Sequence, residues 1–307
     1  MRPNHSGPIS QAQPRHWQHE LVTPGPTAVV LGGGGVLGAV QVGMLRALLD
    51  AGVRPDLVLG TSVGAVNGAA LAAFPATEVA DRLDELWRSP DAAGIFAAGT
   101  VGRLWTLAGT GTHAHSNLPL RRMLERHLHT LRIEELPVRF QCCAASIERS
   151  AERWFDSGPA VDAVLASAAV PGLLPPVVVD GEHYLDGGLV NSIPVGRAME
   201  LGARRIFVLQ VGRIDKPLRP PQRPWEVALV AFEIARRHRY ARDMAAIPAG
   251  TEVHVLPLGD GGPPRHDERA ILRHGYSGYR NFGRAASRIE AAYRASTAYL
   301  CDAGIGS

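Results

Sequence analysis

Residues 56–74 constrain this chain more than any other stretch. A short apolar run, Asp56-Leu57-Val58-Leu59, passes without a spacer into Gly60-Thr61-Ser62-Val63-Gly64, and the chain then reads as helix from Ala65 to Phe74. A strand that becomes a helix in so few residues needs glycine at its corners, because a Cβ at either flank would meet the neighbouring strand or helix. A serine in such a turn stands clear of the backbone at the carboxyl end of a sheet, beside the N–H groups that open the helix. Ala65, Gly68, Ala69 and Ala70 are small enough to let that helix lie close to the sheet. Ser62 is therefore a candidate nucleophile, with Gly60 and Gly64 as the glycines its turn requires. Taken alone, the pentapeptide also reads as an ordinary tight βα loop.

The same rhythm precedes it. Thr27-Ala28-Val29-Val30-Leu31 suits a buried parallel strand. Gly32 to Gly35 follow, and then Val42, Leu45 and Leu49 repeat at helical spacing up to Gly52. Strand, loop, helix, strand, turn, helix predicts an α/β fold with a parallel sheet. Residues 33–38 match G-x-G-x-x-G, for which three readings compete. A dinucleotide loop wants an acidic residue at the end of the second strand; Asp50 and Asp56 precede that strand's end, which Gly60-Thr61-Ser62 occupies. A Walker loop lacks its Gly-Lys-Ser/Thr. The third reading is an oxyanion hole built from Gly33, Gly34, Gly35 and Gly38. Loss of one such donor costs about 3 kcal/mol of transition-state stabilisation.

A serine nucleophile needs a proton acceptor. Of twelve histidines, only His254, His266 and His274 come late enough for a Ser-Asp-His order. Asp186-Gly187-Gly188, after a strand ending His183-Tyr184-Leu185, offers a carboxylate that can approach another loop closely. By itself Asp-Gly-Gly is also a common turn.

Along the remaining chain the pattern predicts helices at 77–88, 118–129, 160–169, 225–246 and 276–300. Strands are expected at 138–146, 152–155, 176–185, 205–211 and 251–256. Residues 1–24 read as a flexible tail and 25–307 as one domain with insertions. Segment 89–117 has no period and reads as a lid or binding loop, with Phe96, Leu104 and Trp105 as groups for a lipid interface or for a cluster beneath the loop. Arg236-Arg237-His238-Arg239, with Arg242, reads as a solvated helix face rather than a lipid-binding patch. A formal charge of +3 on 307 residues gives no reason to expect nucleic acid as a partner. The apolar N-terminal run of a signal peptide and a stretch long enough to span a bilayer are both missing, so a cytoplasmic protein, soluble or peripheral at the membrane, is expected. Cys142 and Cys143 lie in an apolar run and read as inert core thiols.

Together, G-x-G-x-x-G at 33–38, G-x-S-x-G at 60–64 and D-G-G at 186–188 resemble the patatin-like phospholipase family, in that family's order. Ala166 to Gly172 with Pro175-Pro176, and Asn191-Ser192-Ile193-Pro194, resemble the segments that flank its aspartate loop. The resemblance covers residues 26–212. It implies a three-layer α/β/α fold with a mainly parallel central sheet. It implies a Ser-Asp dyad without histidine, in which Ser62 attacks an ester carbonyl of a lipid and Asp186, set by Gly187 and Gly188, takes the proton. It implies no metal and no cofactor. The family commonly carries Arg or Lys in the glycine loop where this chain has Leu37, which favours neutral, lysolipid or short-chain esters over phosphate-bearing ones. A Ser-Asp-His esterase and a catalytically silent lipid-binding protein are the competing readings.

Overall fold

The structure is a computed structural model that describes residues 25–89, 109–128, 131–211, 224–259 and 282–306, with a few positions of 212–223. Among the described residues eight strands form one sheet: β1 (Thr27–Leu31), β2 (Leu57–Thr61), β3 (Arg139–Ser146), β4 (Ala151–Phe155), β5 (Val177–Val179), β6 (Glu182–Asp186), β7 (Arg205–Leu209) and β8 (Glu252–Val255). Their order is β5-β6-β3-β2-β1-β7-β8, with β4 also paired to β3. β3, β2, β1, β7 and β8 are mutually parallel, whereas β4 and β6 run antiparallel to β3.

The continuous apolar runs are explained by burial on both faces. Val29, Leu31, Val58, Phe207 and Leu209 point into one core; Ala28, Val30, Leu57, Leu59, Ile206 and Val208 point into another. The first core lies under α1 (Ala39–Asp50), α2 (Val63–Ala73), α3 (Val79–Arg88), α4 (Leu118–Leu128) and α5 (Ala160–Ser167). The second lies under α6 (Val195–Glu200) and the later half of α7 (Pro224–Ala245), through Tyr240 and Met244. This is the expected α/β/α arrangement. The last helix, α8 (Phe282–Asp302), packs on α1, where a side chain on Gly43 would run into the backbone of Ile289 and Tyr293.

Two expectations change. The strand expected at 176–185 is a hairpin, β5 and β6, because Asp180 and Gly181 both take positive φ (51° and 82°), as a two-residue turn between twisted strands demands. The Asp-Gly pair was the signal for it. Helix α6, six residues long, is too short for its period to show in the sequence.

Parallel strands place their carboxyl ends on one edge, so the loops after Leu31, Thr61 and Leu209 meet there. Register brings Asp186 to the same level: Thr61 lies opposite Cys143, and Ala144, the next residue of β3, opposite Asp186.

Candidate active site

Ser62 joins β2 to α2 with φ 57° and ψ −125°, a conformation costing a non-glycine residue about 1–3 kcal/mol. The glycines around it are demanded by contact. A Cβ on Gly60 would collide with the backbone of Gly64 and Ala65, and one on Gly64 with the carbonyl of Leu31. The backbone N–H of Ser62 donates to Ser167 Oγ (2.9 Å), and Ser167 Oγ donates to the carbonyl of Cys143 (2.5 Å). The turn is thereby tied to α5 and β3.

Asp186 ends β6. The chain then folds over the end of β3, and only glycine at 187 permits this, because a side chain there would strike the Cys143 carbonyl. The loop reaches β2, where Thr61 Oγ1 donates to the carbonyl of Asn191 at 2.8 Å. Phe232 of α7 lies against Gly188. Asp186 is 1% exposed and Ser62 6%, so both are shielded from bulk water, and the Ser62 hydroxyl lies near enough to act on the carboxyl. Asp186 Oδ1 accepts the N–H of Gly188 (2.7 Å), while the buried Oδ2 meets no hydrogen-bond donor among the described residues. Burial pushes the carboxyl up to about 6; the Ser62 hydroxyl, the Gly188 N–H and the Arg236 charge pull the other way. A carboxylate of that basicity, with one oxygen unsatisfied, is suited to accept a proton near neutral pH.

The glycine loop is fixed from two sides by groups that sequence reasoning passed over. Gln41 Nε2 donates to the carbonyls of Gly32 (2.9 Å) and Leu209 (2.7 Å). Asn67 Nδ2 donates to Gly38 (3.0 Å) and to Gln41 Oε1 (2.8 Å), and Trp87 Nε1 donates to Asn67 Oδ1 (2.9 Å). On the other side Arg236 donates to Ser192 Oγ, Gly33 O and Val211 O. Two fully buried amides, Gln41 and Asn67, each set among apolar neighbours, were a legible sign that those helices serve something polar.

These contacts narrow the oxyanion assignment. The N–H of Gly33 is donated to the carbonyl of Ser192 (2.9 Å) and is therefore not open to a substrate oxygen. Gly38 serves close packing, since a Cβ there would press on the Val63 side chain and stand 3.1 Å from the Trp87 ring. Gly34, and Gly35 at φ 58°, remain the loop's candidates for that role. Leu37 is buried in the core rather than presented to the site.

Other candidates separate from Ser62. His254 sits on β8, three strands from β2, about 14 Å by strand spacing. It stacks on Phe207 and shares a hydrogen bond with Tyr299 (3.2 Å). His266, His274, Phe96, Leu104 and Trp105 lie outside the described residues. Asp56 accepts the N–H of Thr27 (2.8 Å) and Asp50 the Tyr293 hydroxyl (2.9 Å), which gives both structural work. The basic run at 236–239 is corrected. Arg236 is 5% exposed, Arg237 pairs with Glu233, and Arg239 bridges Glu152 and Asp243, so these three arginines are engaged with the protein, while His238 and Arg242 are exposed as expected. Cys142 and Cys143 are buried, which holds both thiols well above their ordinary pKa. Among the described residues no group of His, Cys, Asp and Glu is arranged to hold a metal, and no helix is long and apolar enough to cross a membrane.

Residues 29–199 match the family model of patatin-like phospholipase. The chain is 33% identical over 206 residues to the patatin-like phospholipase domain-containing protein ZK370.4 of Caenorhabditis elegans, covering 64% of this chain and 14% of that protein. It is 32% identical over 196 residues to lysophospholipase nte1 of Aspergillus terreus, covering 61% of this chain and 12% of that one. The chain thus corresponds to a small part of the curated relatives it matches. VipD from Legionella pneumophila superposes with a TM-score of 0.47 at 15% identity, covering 91% of this chain and 67% of that chain. The matched region runs from β1 into α6 and contains the glycine loop, the serine turn and the aspartate loop, and the chain belongs to the patatin-like phospholipase family.

Proposed function

We propose that the protein is a lipid acyl-hydrolase working through a Ser62–Asp186 dyad and an acyl-enzyme. The observation that carries this reading is the buried Asp186 carboxyl, beside Ser62, raised to about 6 and with no hydrogen-bond donor on Oδ2 among the described residues. Asp186 takes the Ser62 proton as Oγ attacks the ester carbonyl, and the N–H groups of Gly34 and Gly35 receive the oxyanion. The carboxylic acid then protonates the leaving alcohol. In the second half Asp186 takes a proton from water, the hydroxide attacks the acyl carbonyl, and the proton returns to Ser62 as the fatty acid leaves.

A lysophospholipid or neutral ester is the favoured substrate. The similarity to a lysophospholipase supports the first, and the absence of a cation at position 37, where Leu37 faces the core, supports the second. Arg236, whose charge acts on Asp186, is engaged with protein groups. A panel of phospholipids, lysophospholipids and acylglycerols, with released fatty acids read by mass spectrometry, tests this. Wild type should release acid from at least one class and Ser62→Ala from none; equal release by both sinks the proposal.

A further inference from the structure

Arg236 is 5% exposed and comes from α7, 203 residues along the chain from the loop it holds. Its Nη2 donates to the carbonyls of Gly33 (3.2 Å) and Val211 (2.8 Å), its Nε to Ser192 Oγ (3.0 Å), and its Nη1 to Glu233 (3.2 and 3.3 Å). Ser192 in turn accepts the N–H of Gly33 on its carbonyl. The described peptides are all trans, and a trans peptide sends its C=O and its N–H in opposite directions. The C=O of Gly33 and the N–H of Gly34 belong to one such plane. A guanidinium that grips the first sets the direction of the second.

We infer that Arg236 is the positioning residue of the oxyanion hole: it fixes the Gly33–Gly34 peptide so that the Gly34 N–H faces the Ser62 side of the loop. This rests on the acyl-hydrolase reading. Four backbone glycines in a row have little intrinsic preference for one arrangement, and that freedom is a liability for a preorganised donor. Gln41 holds the preceding carbonyl, of Gly32, from the α1 side, and Arg236 holds that of Gly33 from the α7 side. The loop's lack of a basic residue of its own is offset by one supplied from a distant helix. A planar fork suits the task, since it reaches acceptors on several sides at fixed angles, which an ammonium does not.

The test compares wild type, Arg236→Gln and Arg236→Lys on p-nitrophenyl butyrate, with a trifluoromethyl ketone whose hemiketal adduct with Ser62 carries the oxyanion. Arg236→Gln should lower kcat on the order of 100-fold with KM within about twofold, because the lost donor acts only on the oxyanion. Ketone affinity should fall in proportion to kcat/KM, a parallel that general loosening of the fold would not produce. Arg236→Lys keeps the buried charge beside Glu233 and serves if the glutamine variant fails to fold; it should recover less than a tenth of the lost rate. Hydrogen exchange of residues 32–36 provides a readout independent of turnover and should quicken in both variants. Wild-type kcat and ketone affinity in either folded variant, or unchanged exchange in the loop, overturns the inference. Absence of Ser62-dependent hydrolysis in wild type would instead refute the acyl-hydrolase reading, and loop exchange would still decide the role of Arg236.

Discussion

Ser167 accepts the backbone N–H of Ser62 on its Oγ at 2.9 Å and gives its own proton to the carbonyl of Cys143 at 2.5 Å. A side chain on α5 thus determines how the serine turn sits on β3. Ser167→Ala leaves two buried backbone groups, the Ser62 N–H and the Cys143 C=O, without this partner. We expect a stability loss of about 1–3 kcal/mol in urea unfolding. We also expect kcat on p-nitrophenyl butyrate to fall by about tenfold, since a displaced Oγ loses near-attack geometry. Full activity with full stability would show that the turn holds itself.

Ser62 at φ 57° makes no side-chain capping bond to α2, so its backbone conformation is a cost without a local return. Ser62→Gly should raise the unfolding free energy by about 1 kcal/mol, because glycine adopts such angles freely, while hydrolysis is abolished. Differential scanning calorimetry beside an ester assay measures both.

Asp186 is raised from 3.8 to about 6, chiefly by burial. The native state therefore holds its proton where the unfolded chain has released it, and this residue's contribution to stability falls as pH rises through that interval. Asp186→Asn removes the ionisation. It should equal wild type in stability near pH 4, gain as pH rises, and level off above about 6 at an advantage of up to about 3 kcal/mol, roughly two pKa units at 1.36 kcal/mol each. A stability difference that is flat from pH 4 to 8 would contradict the raised carboxyl.

On the proposed dyad, the same group sets the acid limb of activity. As the proton acceptor Asp186 must be ionised, so kcat/KM should fall tenfold per pH unit below about 6. Replacing His254, which is stacked on Phe207 three strands away, should leave that limb in place and the rate within about twofold.

Much of this architecture was legible in local chemistry. Gly60 and Gly64 announced a turn that contact with Leu31 and Ala65 enforces, and Gly187 announced the approach of one loop to another over Cys143. The apolar runs of β1, β2 and β7 foretold a sheet covered on both faces. What stayed hidden are the partners whose meaning depends on acceptors far along the chain. Arg236 stands among Arg237, His238 and Arg239 and reads as surface charge, because its acceptors are backbone carbonyls, which no sequence pattern marks. The N–H of Gly33 was likewise expected to face the substrate, and only the return of the chain at Ser192 shows it engaged. The turn at Asp180-Gly181 was visible and should have divided one strand into two.

The dyad is tested most directly by covalent trapping. Wild type, Asp186→Asn and Ser62→Ala are exposed to a fluorophosphonate, and the modified residue is located by peptide mass spectrometry. The account predicts one adduct, on Ser62, forming on the order of 100-fold more slowly in Asp186→Asn and not at all in Ser62→Ala. An adduct on another residue, or undiminished labelling of Ser62 in Asp186→Asn, would contradict it.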